Sequence, residues 1–136
     1  MKAMAVSFGL AVLLVLQGCT SPKQLHVFNG LVTDGGSGAK FEEVPLTAIH
    51  RKDTIYVVTH VRWDPPDAGG GIHSIAWNWY LRDKLVATRT MELAFDKTPY
   101  RFWYRIPAAN FDLGHYRVEV SIDGTVVDTR EYEVVQ

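Results

Sequence analysis

The chain is predicted to fold as an all-β, antiparallel two-sheet sandwich of about seven to eight strands. Three observations predict it. From Gln24 onward no window of helical length keeps a 3.6-residue apolar period. Runs rich in Val, Ile, Thr and aromatic residues alternate apolar with polar positions instead, and Gly, Asp, Asn and Pro separate them. An Asp-Gly pair, Asp123-Gly124, joins the last two runs, where a two-residue hairpin turn is expected.

The residues before this domain read as an address. Met1-Lys2 supplies one positive charge, and Ala3 to Leu16 is almost entirely apolar or small. A helix of that length spans about 21 Å, short of a hydrocarbon core of roughly 30 Å. It suits the hydrophobic region of a signal peptide better than a membrane span. Leu16-Gln17-Gly18-Cys19 follows and resembles the lipobox of bacterial lipoproteins. Leu16, Gly18 and Cys19 agree with that pattern, whereas Gln17 is unusual at its position. The resemblance implies cleavage before Cys19, a diacylglyceryl group on its thiol and acylation of the new amino group. Cys19 is the only cysteine, so it can form no internal disulfide. Thr20 stands where an aspartate would retain a lipoprotein on the inner membrane, which favours the outer membrane, facing the periplasm. The expected organisation is therefore a signal peptide over 1–18, an acylated tether over 19–23 and a β-sandwich domain over 24–136.

Strands are expected in order along that domain. Leu25 to Thr33 is the first, closed by the glycine-rich loop Asp34–Gly38. Leu46 to Arg51 and Thr54 to Trp63 flank Lys52-Asp53 and are expected to pair as a hairpin. The run Pro65–Gly71 ends the second of them. Ile72 to Leu81 and Lys84 to Leu93 pair around Arg82-Asp83, and Tyr100 to Ile106 follows. His115 to Ile122 and Thr125 to Val134 close the set around Asp123-Gly124.

Alternation assigns faces. Tyr116, Val118, Val120 and Ile122 are expected in the core, with His115, Arg117, Glu119 and Ser121 in water. Ile55, Val57, Val61 and Trp63 form a second buried face, and Ile75, Trp77, Trp79 and Leu81 a third. Tyr100, Phe102, Tyr104 and Ile106 form a fourth. Asp112-Leu113-Gly114-His115-Tyr116 resembles the Asp-x-Gly-x-Tyr tyrosine corner of immunoglobulin-like domains. The resemblance implies a penultimate strand starting near Tyr116, and Trp77 or Trp79 as core tryptophan. It also implies Val118 where antibody domains carry their second cysteine, so an apolar pair such as Val57 with Val118 replaces the bridge.

Chemistry-bearing patterns are sparse. The 14 basic and 15 acidic side chains leave no electrostatic footprint for nucleic acid. The five histidines lack the spacing that places two imidazoles on one ion, so no metal or other cofactor is expected. No Gly-x-Ser-x-Gly or other nucleophile motif occurs, and no enzyme is expected. Gly69-Gly70-Gly71 precedes a strand and not a helix, which removes the context of a phosphate-binding loop. It reads as a mobile connection, or as a loop that orders on binding.

The most informative segment is Tyr100-Arg101-Phe102-Trp103-Tyr104-Arg105. With the first, third and fifth residues in the core, Arg101, Trp103 and Arg105 share the outward face. Arginine and tryptophan are enriched at binding hot spots, and a guanidinium stacks on indole. If the register is reversed, Trp103 is core. The expectation is a lipid-anchored envelope module that binds a membrane through acylated Cys19 and an envelope protein through Arg101, Trp103 and Arg105. The alternative is a carbohydrate- or small-ligand-binding module using exposed aromatic residues.

Overall fold

The computed structural model describes residues 24–136; the expected signal peptide, Cys19 and the tether lie outside them. Eight strands run in chain order: β1 His26–Thr33, β2 Ala48–His50, β3 Thr54–Arg62, β4 Gly71–Leu81, β5 Lys84–Phe95, β6 Tyr100–Pro107, β7 Gly114–Ile122 and β8 Thr125–Val135. Among the described residues the one helical element is a 3₁₀ turn, Ala108–Asn110. No helix there is long and apolar enough to cross a membrane.

The strands form two sheets, ordered β1-β3-β6 and β2-β8-β7-β4-β5. Strands β3, β4, β6 and β7 each turn an apolar row inward and these rows meet between the sheets, whereas β5 fully buries only Phe95. Trp77 and Trp79 of β4 are both fully buried, so both take the place expected of one core tryptophan. They pack with Ile55 and Val57 of β3, Phe102 and Ile106 of β6, and Val118 and Val120 of β7. Each large aromatic ring removes on the order of 200 Å² from water, which makes this cluster the main source of stability. Val57 and Val118 lie in the same cluster, each with no solvent exposure.

Turn chemistry explains which neighbours pair. A two-residue hairpin closed by a type I′ turn needs left-handed backbone at both central positions. Arg82 and Asp83 have φ of 51° and 62°, and Asp123 and Gly124 have 50° and 84°, so β4–β5 and β7–β8 close as expected. Lys52 and Asp53 are absent from the left-handed set, and the expected hairpin around them does not form. Instead β2 pairs in parallel with β8 in the larger sheet, and β3 pairs with β1 and β6 in the smaller one. The chain turns after His50, where Asp53 N–H donates to its carbonyl at 2.9 Å, and crosses between sheets.

Candidate binding face

The outer surface of the β1-β3-β6 sheet has a composition unlike that of the chain as a whole. The three strands contain no aspartate or glutamate, yet they carry Arg62, Arg101 and Arg105 together with His26 and His60. The full chain is slightly acidic, at −1. Alternation along β6 buries Phe102 and Ile106 and turns Arg101, Trp103 and Arg105 outward, so the forward register holds and Trp103 is 46% exposed. Cross-strand register then sets His60 beside Arg101, Val58 beside Trp103 and Tyr56 beside Arg105.

Aromatic rings and guanidinium groups interleave over this face. The Arg101 guanidinium lies 5.1 Å from the Trp103 ring centroid and 5.9 Å from that of Phe41. Arg62 lies 5.6 Å from the Phe28 ring, which also tilts against His60 at 5.7 Å. Phe28 reaches the outside because the β1–β3 ladder shifts register between Val27 and Asn29, which breaks strict alternation. These contacts hold the cationic side chains in fixed positions, each stack contributing about 0.5–1 kcal/mol at such exposure.

The face is not bare. The segment 34–47, which contains no strand, crosses it between β1 and β2. Its Glu43 carboxylate accepts from Arg101 Nη1 through Oε1 and meets His60 Nε2 through Oε2, each at 2.9 Å. Phe41 packs edge-on against Tyr56, and Leu46 N–H donates to the Val32 carbonyl at 2.8 Å. Leu31 and Val58 are buried although they lie outside the main core cluster. They are opposite one another in the β1–β3 ladder, beneath this crossing segment. The contribution of Glu43, Phe41 and Phe28 to the face was missed at the sequence level. The glycine-rich stretch that opens the segment marked a loop, but nothing local tells where a loop will lie.

Among the described residues one side of β6 faces no strand, because β6 ends its sheet. The end strand of the larger sheet on that side is β5. Between the two edges runs a groove of about 300 Å³, lined by Met91, Leu93 and the run Tyr100–Trp103. Met91 is 42% exposed, so an apolar row beside Trp103 faces solvent.

A second polar constellation lies at the end of β4. His73 Nδ1 is 2.6 Å from Asp123 Oδ2, and its Nε2 is 2.6 Å from the Gly70 carbonyl. The Asp123 carboxyl is held below the usual carboxylate range, first by that hydrogen bond and then by the Ser74 N–H. The Gly69-Gly71 run is thereby tied down: Gly70 also donates its N–H to Phe95 at 2.8 Å. One imidazole nitrogen meets the carboxylate and the other a carbonyl, and both side chains border a cleft of about 500 Å³ that Leu25, Val27 and Ile122 also line. Among the described residues no three His, Cys, Asp or Glu side chains group as a metal site.

The geometry invites comparison with known proteins. An immunoglobulin-like protein from Pseudomonas aeruginosa superposes with a TM-score of 0.51 at 8% identity, covering 85% of this chain and 99% of that one. The fold is an immunoglobulin-like β-sandwich. Its tyrosine corner is in place, with the Tyr116 hydroxyl donating to the Asp112 carbonyl at 2.7 Å. The alkylpurine DNA glycosylase AlkC of Pseudomonas fluorescens, bound to DNA containing an abasic site analog, gives a TM-score of 0.51 at 15% identity. A β-glucosidase from Listeria innocua gives 0.52 at 14%. This immunoglobulin-like chain spans only 30% of the glycosylase and 16% of the glucosidase. At such identities the likeness concerns the fold alone, which hosts many unrelated roles. No protein-family profile matches the chain, and no curated protein matches its sequence.

Proposed function

We propose that this chain is a lipid-anchored binding module of the bacterial envelope, without catalytic chemistry of its own, that holds an envelope protein on its β6 face. The observation that carries the reading is Trp103, 46% exposed beneath the Arg101 guanidinium on a strand whose outer edge is unpaired. A large exposed indole flanked by arginines supplies the apolar area and the charge that interfaces concentrate in hot spots. Acyl chains on Cys19 confine the domain to a membrane, on this reading the outer membrane facing the periplasm. Each buried methylene contributes about 0.8 kcal/mol, and more than one chain makes the attachment durable. Confinement raises the effective concentration toward membrane partners without any new contact.

Crosslinking in native cells, with the full acylated chain and a Trp103→Ala variant side by side, tests this. One dominant crosslinked protein that disappears in the variant supports the reading. A partner captured equally by both chains removes the β6 face from it. The rival is a carbohydrate or small ligand, and it draws on the groove beside Trp103, whose volume of about 300 Å³ lies at the lower end of ligand pockets. Quenching of tryptophan fluorescence by soluble glycan fragments, with no protein partner found, would favour it.

A further inference from the structure

We infer that the partner presents an extended segment alternating acidic and apolar residues, which adds as a strand to the free edge of β6 and displaces Glu43 from Arg101 and His60. This rests on the proposed protein-binding role of the face and names the chemistry that the face selects.

Three observations converge. First, β1, β3 and β6 together offer three arginines and two histidines and no carboxylate, so the sheet is complementary to negative charge. Second, the carboxylate that now meets this charge comes from Glu43, in a segment without regular structure. Glu43 bridges Arg101 and His60 in the way a bound acidic side chain would, and Arg101 remains 45% exposed while it does so. Third, the outer side of β6 pairs with no strand among the described residues, and the groove toward Met91 and Leu93 runs alongside it.

Strand geometry turns these into a sequence pattern. A strand added to β6 alternates its side chains in step with it. Those on the outer surface stand beside Arg101, Trp103 and Arg105, where carboxylates pair with guanidinium groups. Those on the other side enter the groove of Met91, Leu93 and Phe102, where aliphatic side chains fit. A second copy of this chain is a poorer occupant. Antiparallel pairing of two β6 strands about Trp103 sets Arg101 against Arg105, like charges directly opposite. Glu43 then acts as an internal competitor, lowering the apparent affinity by the fraction of molecules in which Arg101 is engaged.

The test uses the full acylated chain in detergent micelles and an eight-residue peptide of alternating valine and glutamate, read by calorimetry. Two control peptides accompany it, one with lysine for glutamate and one with proline in place of a central valine. Glu43→Gln keeps the shape of the side chain and removes its charge, and is expected to bind the acidic peptide three- to tenfold tighter than the wild type. Arg101→Gln is expected to lose at least tenfold, and the lysine and proline peptides to bind at least tenfold more weakly. Thermal unfolding of both variants confirms that each is folded. No gain from Glu43→Gln overturns the competitor role. Equal binding of the proline peptide overturns strand addition and assigns the face to anions in general. Self-association of Glu43→Gln in place of peptide binding assigns the edge to a second copy. Loss of a Trp103-dependent partner in cells is the separate failure of the parent reading, because the peptide measurement does not depend on it.

Discussion

Asp112 and Tyr116 are joined across one turn of chain, the phenolic hydroxyl donating to the backbone carbonyl four residues earlier at 2.7 Å. The contact fixes the corner through which the chain enters β7, the strand next to β4 in the larger sheet. Tyr116 is almost completely buried and stacks on Tyr132 at 5.8 Å. Burial and the nearby Asp112 charge push its hydroxyl above the ordinary tyrosine range, so it stays a donor at any physiological pH.

Tyr116→Phe keeps the ring and deletes the donor. Urea unfolding should show a loss of about 0.5–1.5 kcal/mol with an unchanged slope. A loss under a few tenths would mean that water replaces the bond and that the corner is not under tension.

The two kinds of tryptophan should separate cleanly. Trp77 has no solvent exposure and touches Phe102 and Tyr104, so Trp77→Ala should cost about 3–5 kcal/mol. Trp103→Ala removes a half-exposed ring and should cost less than about 1.5 kcal/mol while abolishing partner capture. Denaturation midpoints of the two variants decide this. A loss of 3 kcal/mol or more at Trp103 would place that residue in the core.

Gly30 is required by its neighbour across the sandwich. A methyl group on it would stand 1.8 Å from Asp128 Oδ2, and Arg130 Nε holds that carboxylate at 3.0 and 3.1 Å. Gly30→Ala must push Asp128 off Arg130 and should cost about 1–3 kcal/mol. Asp128→Ala in the same chain should recover most of that loss, a coupling that a double-mutant cycle measures. Additive losses would show that the strain lies in the β1 backbone instead.

Asp123 gives a pH dependence of known sign. Its carboxyl is lowered in the folded state by His73 and the Ser74 N–H. Its contribution to stability is therefore complete above the ordinary aspartate value near 3.9 and is lost as pH falls through the lowered folded value. The carboxylate is 54% exposed, so screening limits the effect to about 1 kcal/mol or less. Asp123→Asn keeps a residue suited to the left-handed turn. The stability gap between it and the wild type should be largest at neutral pH and close in strong acid, as followed by unfolding at several pH values. A gap that persists below pH 2 would indicate a role in the turn geometry and not in charge.

Much of the sandwich is legible in residues because alternation is a local property. The rows Tyr116–Val120 and Ile75–Trp79 show their buried side by their own spacing, and so does the row of β6, whereas Ser121, expected in water, is buried where a register shift interrupts the β7–β8 ladder. Arg101, Trp103 and Arg105 point outward for that reason alone. Asp123-Gly124 announces its hairpin because the left-handed backbone it adopts is a property of those residue types. Lys52-Asp53 resembles a turn equally well on paper, and there the resemblance misled. Whether two strands joined by a short turn pair with each other or part into opposite sheets depends on which edges are already taken. For Ala48–His50 the free edge was β8, nearly a whole domain away in sequence.

By itself, then, the sequence determined the all-β class, most of the inward and outward rows and the hairpin at Asp123-Gly124. Each follows from steric preferences within a few residues. Only the tertiary structure decided that β1, β3 and β6 gather every one of their charges as cations on one sheet. It also decided that Glu43 crosses to meet Arg101 from 58 residues away in the chain, and that β6 is left with an open edge beside Met91. Those relationships depend on how the two sheets assort their strands, and contacts between distant segments leave no periodic trace in the sequence of either one.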